Sequence, residues 1–370
     1  MKTEAAVLWQ AGGEWEIETV ELDRPKEQEV LVRLEANGLC HSDEHLRSGD
    51  MTCELPMIGG HEGAGVVEEV GRYVTGVQPG DHVVMSWIPS CGTCRPCASG
   101  HQNLCELGRY ITVGKQIQDQ TSRHHIGNQD VNLMACVGAF SKSTVVHESS
   151  VVKIDEDIPL DRACLVGCGV VTGWGSAVYA ADIRAAEDIV VIGCGGIGAS
   201  AVLGAVDAGA RRVFVVDPVQ FKRDEAMRLG ATHVASDLTE ALELIREVTW
   251  GRMCAKAIAC MGVGEGALVA DMMALLGKNG RLVVTNMHSR HEIDVKLRMA
   301  ELTVMQKQIV GALYGQGNPR ADIPRLLDLY RDGLLDLDAL VTRTYSLEDI
   351  NQGYADMRDG RNIRGILKYN

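Results

Sequence analysis

No other stretch limits the possible folds of this chain as much as residues 189–217. Ile189-Val190-Val191-Ile192 is a short all-apolar run, followed by Gly193-Cys194-Gly195-Gly196-Ile197-Gly198 and an apolar segment through Ala208. Val213-Phe214-Val215-Val216 then leads into Asp217, 19 residues after Gly198. Continuous apolar residues mark a strand buried on both faces, and the glycines permit a tight turn into a helix. Strand, G-x-G-x-x-G, helix, strand, acid is an order that brings bare backbone and a helix amino terminus up to a pyrophosphate. Asp217 can accept both hydroxyls of an adenosine ribose and repels a 2′-phosphate, which favours NAD over NADP. Lys222 and Arg223 weigh the other way, because a nearby cation can accept a phosphate.

The same stretch raises a membrane question. Residues 189–206 are 18 in a row without a charge, the lower limit for a span. Five of them are glycine, which suits a buried strand turning into a buried helix and not a spanning helix. The net charge of −14 argues against nucleic acid or an anionic membrane as partner. Met1-Lys2-Thr3-Glu4 leads straight into polar sequence with no secretory signal, so a cytoplasmic protein is expected. In that setting twelve cysteines read as ligands or free thiols and not as disulfides.

A length of 370 residues predicts two domains. Short strands at 5–8, 29–34, 66–70 and 81–85 give a mostly β amino-terminal part. Beyond 189 the pattern alternates, with strands at 257–260, 282–285 and 308–313 and helices at 238–248 and 266–276. That predicts an α/β chain with a doubly wound parallel sheet. The tail reads as helices at 323–331 and 347–358, the second with Ser346 as N-cap. A last strand at 365–369 is expected to return to the first domain.

Two groups of residues suggest metal. Cys91, Cys94, Cys97 and Cys105 place four thiolates in one loop, enough for a closed tetrahedral site. An iron–sulfur cluster or a redox dithiol are the alternatives; nothing else in the sequence points to electron transfer, and structural zinc is the reading taken. Zinc would pin a loop too poor in apolar residues to hold itself. Separately, Gly38-Leu39-Cys40-His41-Ser42-Asp43-Glu44-His45 and Gly59-Gly60-His61-Glu62 offer a thiolate and an imidazole of the kind an open catalytic zinc site takes. Cysteines and histidines also sit this close without any metal. Residues 163–180 are apolar and small, resemble a buried helix entry, and offer Cys164 or Cys168 to the interior, where a packed free thiol is the common fate. Between 111 and 134 the chain turns polar and irregular, and His124 and His125 read as solvated loop residues.

Taken together these stretches resemble the zinc-dependent medium-chain alcohol dehydrogenases across essentially the whole chain. The resemblance rests on Gly-Leu-Cys-His-Ser-Asp at 38–43, Gly-His-Glu at 60–62, the quartet at 91–105, Gly-Cys-Gly at 167–169 and the turn at 193–198. Within that group the chain is most similar to the actinobacterial nicotinoprotein enzymes, assayed with a nitrosoaniline dye. Val-Asp-Pro-Val-Gln-Phe-Lys-Arg at 216–223, Asn-Pro-Arg-Ala-Asp-Ile-Pro at 318–324 and Asp-Ile-Asn-Gln-Gly-Tyr at 349–354 carry that closer likeness.

The resemblance implies a GroES-like catalytic domain at 1–172, completed by 314–370, and a Rossmann domain at 173–313. It implies that Cys40, His61 and Cys168 bind catalytic zinc with Glu62 behind it, and that Cys91, Cys94, Cys97 and Cys105 hold structural zinc. Ser42 and His45 match the family's proton relay by way of the cofactor ribose, and Asp43 the carboxylate that orients the metal-bound histidine. Thr172 would touch the nicotinamide and Arg364 the pyrophosphate, along with His41, Lys222 and the turn Gly193, Gly195, Gly196, Ile197 and Gly198. His41 replaces an arginine of the liver-type enzymes, which would make pyrophosphate binding there less charge-assisted. Met51 and Trp87 match substrate-pocket positions.

The activity implied is reversible oxidation of an alcohol to an aldehyde or ketone with hydride transfer to NAD, the cofactor held without exchange. A homodimer or higher homo-oligomer, formed through the strand at 308–313, and an external partner to reoxidise NADH would accompany it. The rival within the family oxidises glutathione–formaldehyde adducts; Arg109 and Asp50 fit its anchor positions, while Thr52 replaces a glutamate it uses. A non-catalytic NAD-binding regulator is the rival of another class.

Overall fold

The computed structural model describes residues 1–51, 53–288 and 292–369. Thr52, on which part of the glutathione-adduct rival turned, lies outside the described residues.

The predicted doubly wound sheet is present. Six parallel strands run in the order His233–Ala235, Arg212–Val216, Asp188–Ile192, Cys254–Ala259, Leu276–Val284, Gln308–Gly311. The order reverses direction beside Asp188–Ile192, and in open parallel sheets ligands bind in the crevice at such a point, outside the carboxyl ends of the strands. The uncharged run that raised the membrane question divides into that strand and the helix Gly196–Asp207, both in the core. Among the described residues no single helix is long and apolar enough to cross a membrane.

The amino-terminal strands form two further sheets. Glu29–Gly38 is central to one, with Gly63–Val70 antiparallel on one side and Arg364–Lys368 antiparallel on the other. Ile366 pairs with Gly38 and Leu367 with Asn37, so the carboxy-terminal strand does return to the start of the chain. This pairing sets Arg364 beside the segment that carries Cys40.

Some local expectations fail for physical reasons. The second tail helix spans Ile350–Arg358, not 347–358, and Ser346 is not its cap: the Ser346 hydroxyl donates to Asp349 Oδ2 at 2.8 Å. The helix expected at 266–276 is a 3-10 turn Gly266–Leu268 followed by the short helix Val269–Ala274, because the next strand already begins at Leu276. His124 is fully buried, not solvated. Its neighbour Arg123 is buried too, with its guanidinium donating to both oxygens of buried Glu29 at 2.8 and 2.6 Å. That pair fastens the irregular 111–134 segment to the end of Glu29–Gly38.

Candidate active site

Cys40 follows the strand Glu29–Gly38 and directly precedes the helix His41–Ser48. His61 lies in the link into Gly63–Val70, and Cys168 sits where a 3-10 turn ends and the helix Gly169–Gly175 begins. Three separate pieces of backbone therefore converge. One ligand atom each from Cys40, His61, Glu62 and Cys168 lies within 4.8 Å of the others, and all four residues are buried. The site selects Cys168 over Cys164, whose thiol points away to the carbonyl of Asp161 at 3.6 Å.

The electrostatics suit a cation. The hydrogen bond between the two thiols, against the cost of burial, holds Cys40 well below the usual thiol range, and the same bond together with burial holds Cys168 well above it. Burial would lower the pKa of His61, but Asp43 and the Cys40 thiolate outweigh it and raise it well above normal. Asp43 Oδ2 lies 3.1 Å from His61 Nδ1, and Oδ1 accepts from the Gly60 N–H at 2.8 Å. One face of the imidazole is thereby fixed, leaving the other nitrogen for a ligand. Burial raises Glu62 to about 7 against the pull of Arg364. Two thiols and an imidazole buried together are a costly arrangement that a divalent metal would satisfy.

Arg364 is buried, ion-paired with Glu62, and roofed by glycines. A Cβ at Gly169 would stand 2.8 Å from its Nη1, and one at Gly196 would stand 2.5 Å from its Cδ. The guanidinium thus bridges the rear of the metal site and the underside of the glycine turn. The two are also joined through the helix Gly169–Gly175, since a Cβ on Gly173 would collide with the carbonyl of Ile197. Thr172 sits in that helix and is buried.

At the turn, Gly193 has φ +88°, and a Cβ on Gly198 would collide with the Gly193 carbonyl, so the helix can start this close only with glycine there. Gly195 caps Gly196–Asp207 with no side chain, leaving the first N–H groups free for an anion. Asp217 accepts from the N–H groups of Cys194 at 2.8 Å and Val219 at 2.9 Å, which ties the acid to the turn. His41 is exposed beside Gly262; the protein around it, with His45 and Lys222 near, lowers its pKa.

Ser42 Oγ is 3.6 Å from Cys40 Sγ. His45 is buried, with Nδ1 3.2 Å from Asp50 Oδ2 and Nε2 without a hydrogen-bond partner among the described residues. The Trp87 ring stands edge-on to His61 at 6.5 Å and to Tyr314 at 5.9 Å, and Met51 packs in the same apolar cluster as Trp87. Tyr314 was not foreseen. Its hydroxyl donates to the Gly167 carbonyl at 3.0 Å, next to Cys168. The Tyr-Gly-Gln-Gly segment that carries it has no motif, and only its place after the last parallel strand hints at the site.

The second group also assembles: one sulfur each from Cys91, Cys94, Cys97 and Cys105 lies within 4.8 Å of the rest. Partial burial raises the pKa of Cys91, but hydrogen bonds from the Cys94 N–H and from Thr93 outweigh it and bring it down to about 6. Exposed Arg109 donates to its neighbour Tyr110 at 2.7 Å, and Asp50 accepts from Ser48 and lies against His45.

The sequence matches the alcohol dehydrogenase GroES-like domain family over residues 26–156 and the zinc-binding dehydrogenase family over 196–332. It is 48% identical over 370 residues to alcohol dehydrogenase B of Mycobacterium tuberculosis, covering 100% of this chain and 99% of that one. It is 49% identical over 369 residues to an NDMA-dependent alcohol dehydrogenase of Amycolatopsis methanolica, covering 100% and 99%. Among solved structures, benzyl alcohol dehydrogenase from Acinetobacter calcoaceticus superposes with a TM-score of 0.92 at 30% identity, covering 100% of both chains.

Proposed function

Since the chain belongs to the zinc-dependent medium-chain alcohol dehydrogenases, we propose which of its residues carry each part of the reaction. It is an oxidoreductase of alcohols and aldehydes that uses zinc and NAD(H). The convergence of Cys40, His61 and Cys168 on one buried point, one helix away from the glycine turn, carries the reading.

Cys40, His61 and Cys168 hold the catalytic zinc, with Glu62 behind them; Cys91, Cys94, Cys97 and Cys105 hold a structural one. When bound, zinc acidifies an alcohol hydroxyl and the nicotinamide takes hydride from the carbinol carbon. Asp43 keeps His61 in the tautomer and orientation that a metal needs. Ser42 stands next to Cys40, placed to receive the hydroxyl proton, and His45 passes it outward. Trp87, Tyr314 and Met51 form an apolar wall that orients the alcohol and keeps water out. Gly193, Gly195, Gly196, Ile197 and Gly198 receive the pyrophosphate, Asp217 the adenosine ribose, and Thr172 the nicotinamide. Arg364, Lys222 and His41 surround the phosphates.

The domain limits fit this division: a catalytic domain at 1–172 with 314–370, and a cofactor domain at 173–313. Likeness to an NDMA-dependent enzyme supports cofactor that stays bound through turnover and is reoxidised in place. Exposed Ile309 and Leu313 on the edge strand and just beyond it support pairing of two copies there. Native mass spectrometry tests the assignment by counting zinc and NAD together, with two zinc ions and one NAD per chain expected. Adding benzyl alcohol should then produce the absorbance of reduced nicotinamide. Protein that carries no zinc and shows no alcohol-dependent reduction would overturn it, and a regulator that only binds NAD would give that second result.

A further inference from the structure

The proton relay assigned above has an outer end that no motif announced. The helix His41–Ser48 stops at Gly49, whose φ of +89° belongs to the left-handed region. That reversal folds the chain back on the last turn of the helix. Met51 N–H donates to the carbonyl of His45 at 3.0 Å, and the side chain of Asp50 meets the His45 ring.

Asp50 Oδ2 takes two hydrogen bonds, from the Ser48 hydroxyl at 2.8 Å and from His45 Nδ1 at 3.2 Å. These two bonds, the Ser48 one larger, hold the Asp50 carboxyl below its usual range, so it is an anion at neutral pH and can only accept. The hydrogen between Asp50 and His45 therefore belongs to Nδ1. In a neutral imidazole that leaves Nε2 with a lone pair. Nε2 is the inward atom, buried and without a hydrogen-bond partner among the described residues, while the Asp50 side chain is 65% exposed. The His41 ring, on the same helix, is 6.1 Å away by centroids.

We propose that Asp50 is the positioning residue of the relay: it locks His45 as the Nδ1–H tautomer with Nε2 facing inward as proton acceptor, and links the ring to solvent. A proton taken at Nε2 gives an imidazolium, the Nδ1 proton leaves through the Asp50 carboxylate to water to give the neutral Nε2–H ring, and uptake of a proton from water at Nδ1 with loss of the Nε2 proton resets the Nδ1–H tautomer. Charge and protons balance, and no other reactant is needed. The same left-handed turn sets Met51, so the relay and the apolar wall share one backbone reversal.

The inference rests on His45 serving as the relay, and the test separates the two. In the protein as isolated, with histidine labelled by ¹⁵N, the His45 signals are identified by their loss in His45→Gln. Wild type should show a protonated Nδ1 and a bare Nε2, and Asp50→Ala should shift the ring toward the Nε2–H form. An unchanged tautomer in Asp50→Ala overturns the proposal. Kinetically, Asp50→Ala should lower kcat for benzyl alcohol by about tenfold with KM nearly constant, and formate in the buffer should restore part of the loss. Asp50→Glu should retain most of the rate, and Asp50→Asn, which keeps the shape, covers the case in which the alanine variant folds poorly. In His45→Gln the Asp50 substitution should add little, because residues acting through one another are not additive. A full additional tenfold loss there, or no rescue by formate, would leave Asp50 a merely structural residue and sink the idea. Unchanged turnover in His45→Gln would instead sink the relay reading, whatever the tautomer shows.

Discussion

The two clusters proposed to ligate metal use similar atoms and are built in opposite ways. Cys91, Cys94, Cys97 and Cys105 come from one loop with two of the four half-buried, whereas Cys40, His61, Glu62 and Cys168 come from three distant segments and are wholly buried. A local quartet satisfies a tetrahedral ion by itself and stabilises the loop that supplies it. A site assembled by tertiary structure can leave a position open, because strands and helices that fold for other reasons hold its ligands in place. The comparison yields distinct consequences for loss of a ligand at each place.

The largest effect is expected at Cys40→Ser, where turnover should fall by about 10³-fold or more, since the metal's stabilisation of transition-state charge amounts to several kcal/mol. Circular dichroism and thermal midpoint should stay near wild type, because Cys40 is held by Glu29–Gly38 and its sheet partners. Normal rates in a zinc-replete Cys40→Ser protein would break the contrast at its centre. Cys94→Ser should reverse the pattern, costing on the order of 3 kcal/mol of stability, or roughly 4 °C in Tm by calorimetry, with the residual folded protein still active. If instead Cys94→Ser abolished activity in fully folded protein, the two sites would not be separable as structural and catalytic.

A smaller effect should follow from Asp43→Asn. The carboxylate is buried and 3.1 Å from His61 Nδ1, so its amide keeps the shape but weakens the hold on the ring. Zinc affinity or kcat should drop by about 10- to 100-fold, read by competition with a chelator and by steady-state rates. The quartet is made of four cysteines, with no imidazole for a carboxylate to orient, and its metal content should be unaltered in that variant.

How much was legible in the sequence follows the same division. The quartet and the glycine turn were readable because each is local: ligand spacing and backbone freedom are written in consecutive residues. The Cys40, His61 and Cys168 set was legible only through resemblance, since residues alone left Cys164 and Cys168 equal. What separated them was the break between a 3-10 turn and the next helix at Cys168. His124 was misread because a polar, irregular stretch looks solvated until Glu29, 94 positions before Arg123, is found against the Arg123 guanidinium. Tyr314 and the Asp50–His45 contact were invisible for a related reason. Each depends on a left-handed backbone turn, at Tyr314 with φ +55° and at Gly49 with φ +89°, that no periodicity announces.

The finest test of the contrast is access. In metal-free protein both clusters contain a thiol held below its usual range, Cys91 at about 6 through N–H and hydroxyl donors and Cys40 through Cys168. If thiolate character alone set reactivity, iodoacetamide would label both readily. Burial argues otherwise: Cys91 is half-buried in a surface loop, and Cys40 and Cys168 are enclosed with His61 and Glu62. Peptide mapping over a time course should show Cys91 alkylated about tenfold faster than Cys40, with Cys168 slower still because its thiol stays protonated. Comparable rates would mean that the buried cluster opens in the absence of metal. The ion would then be holding the interior together as well as serving the reaction, and the division between a site that needs its zinc to fold and one that does not would disappear.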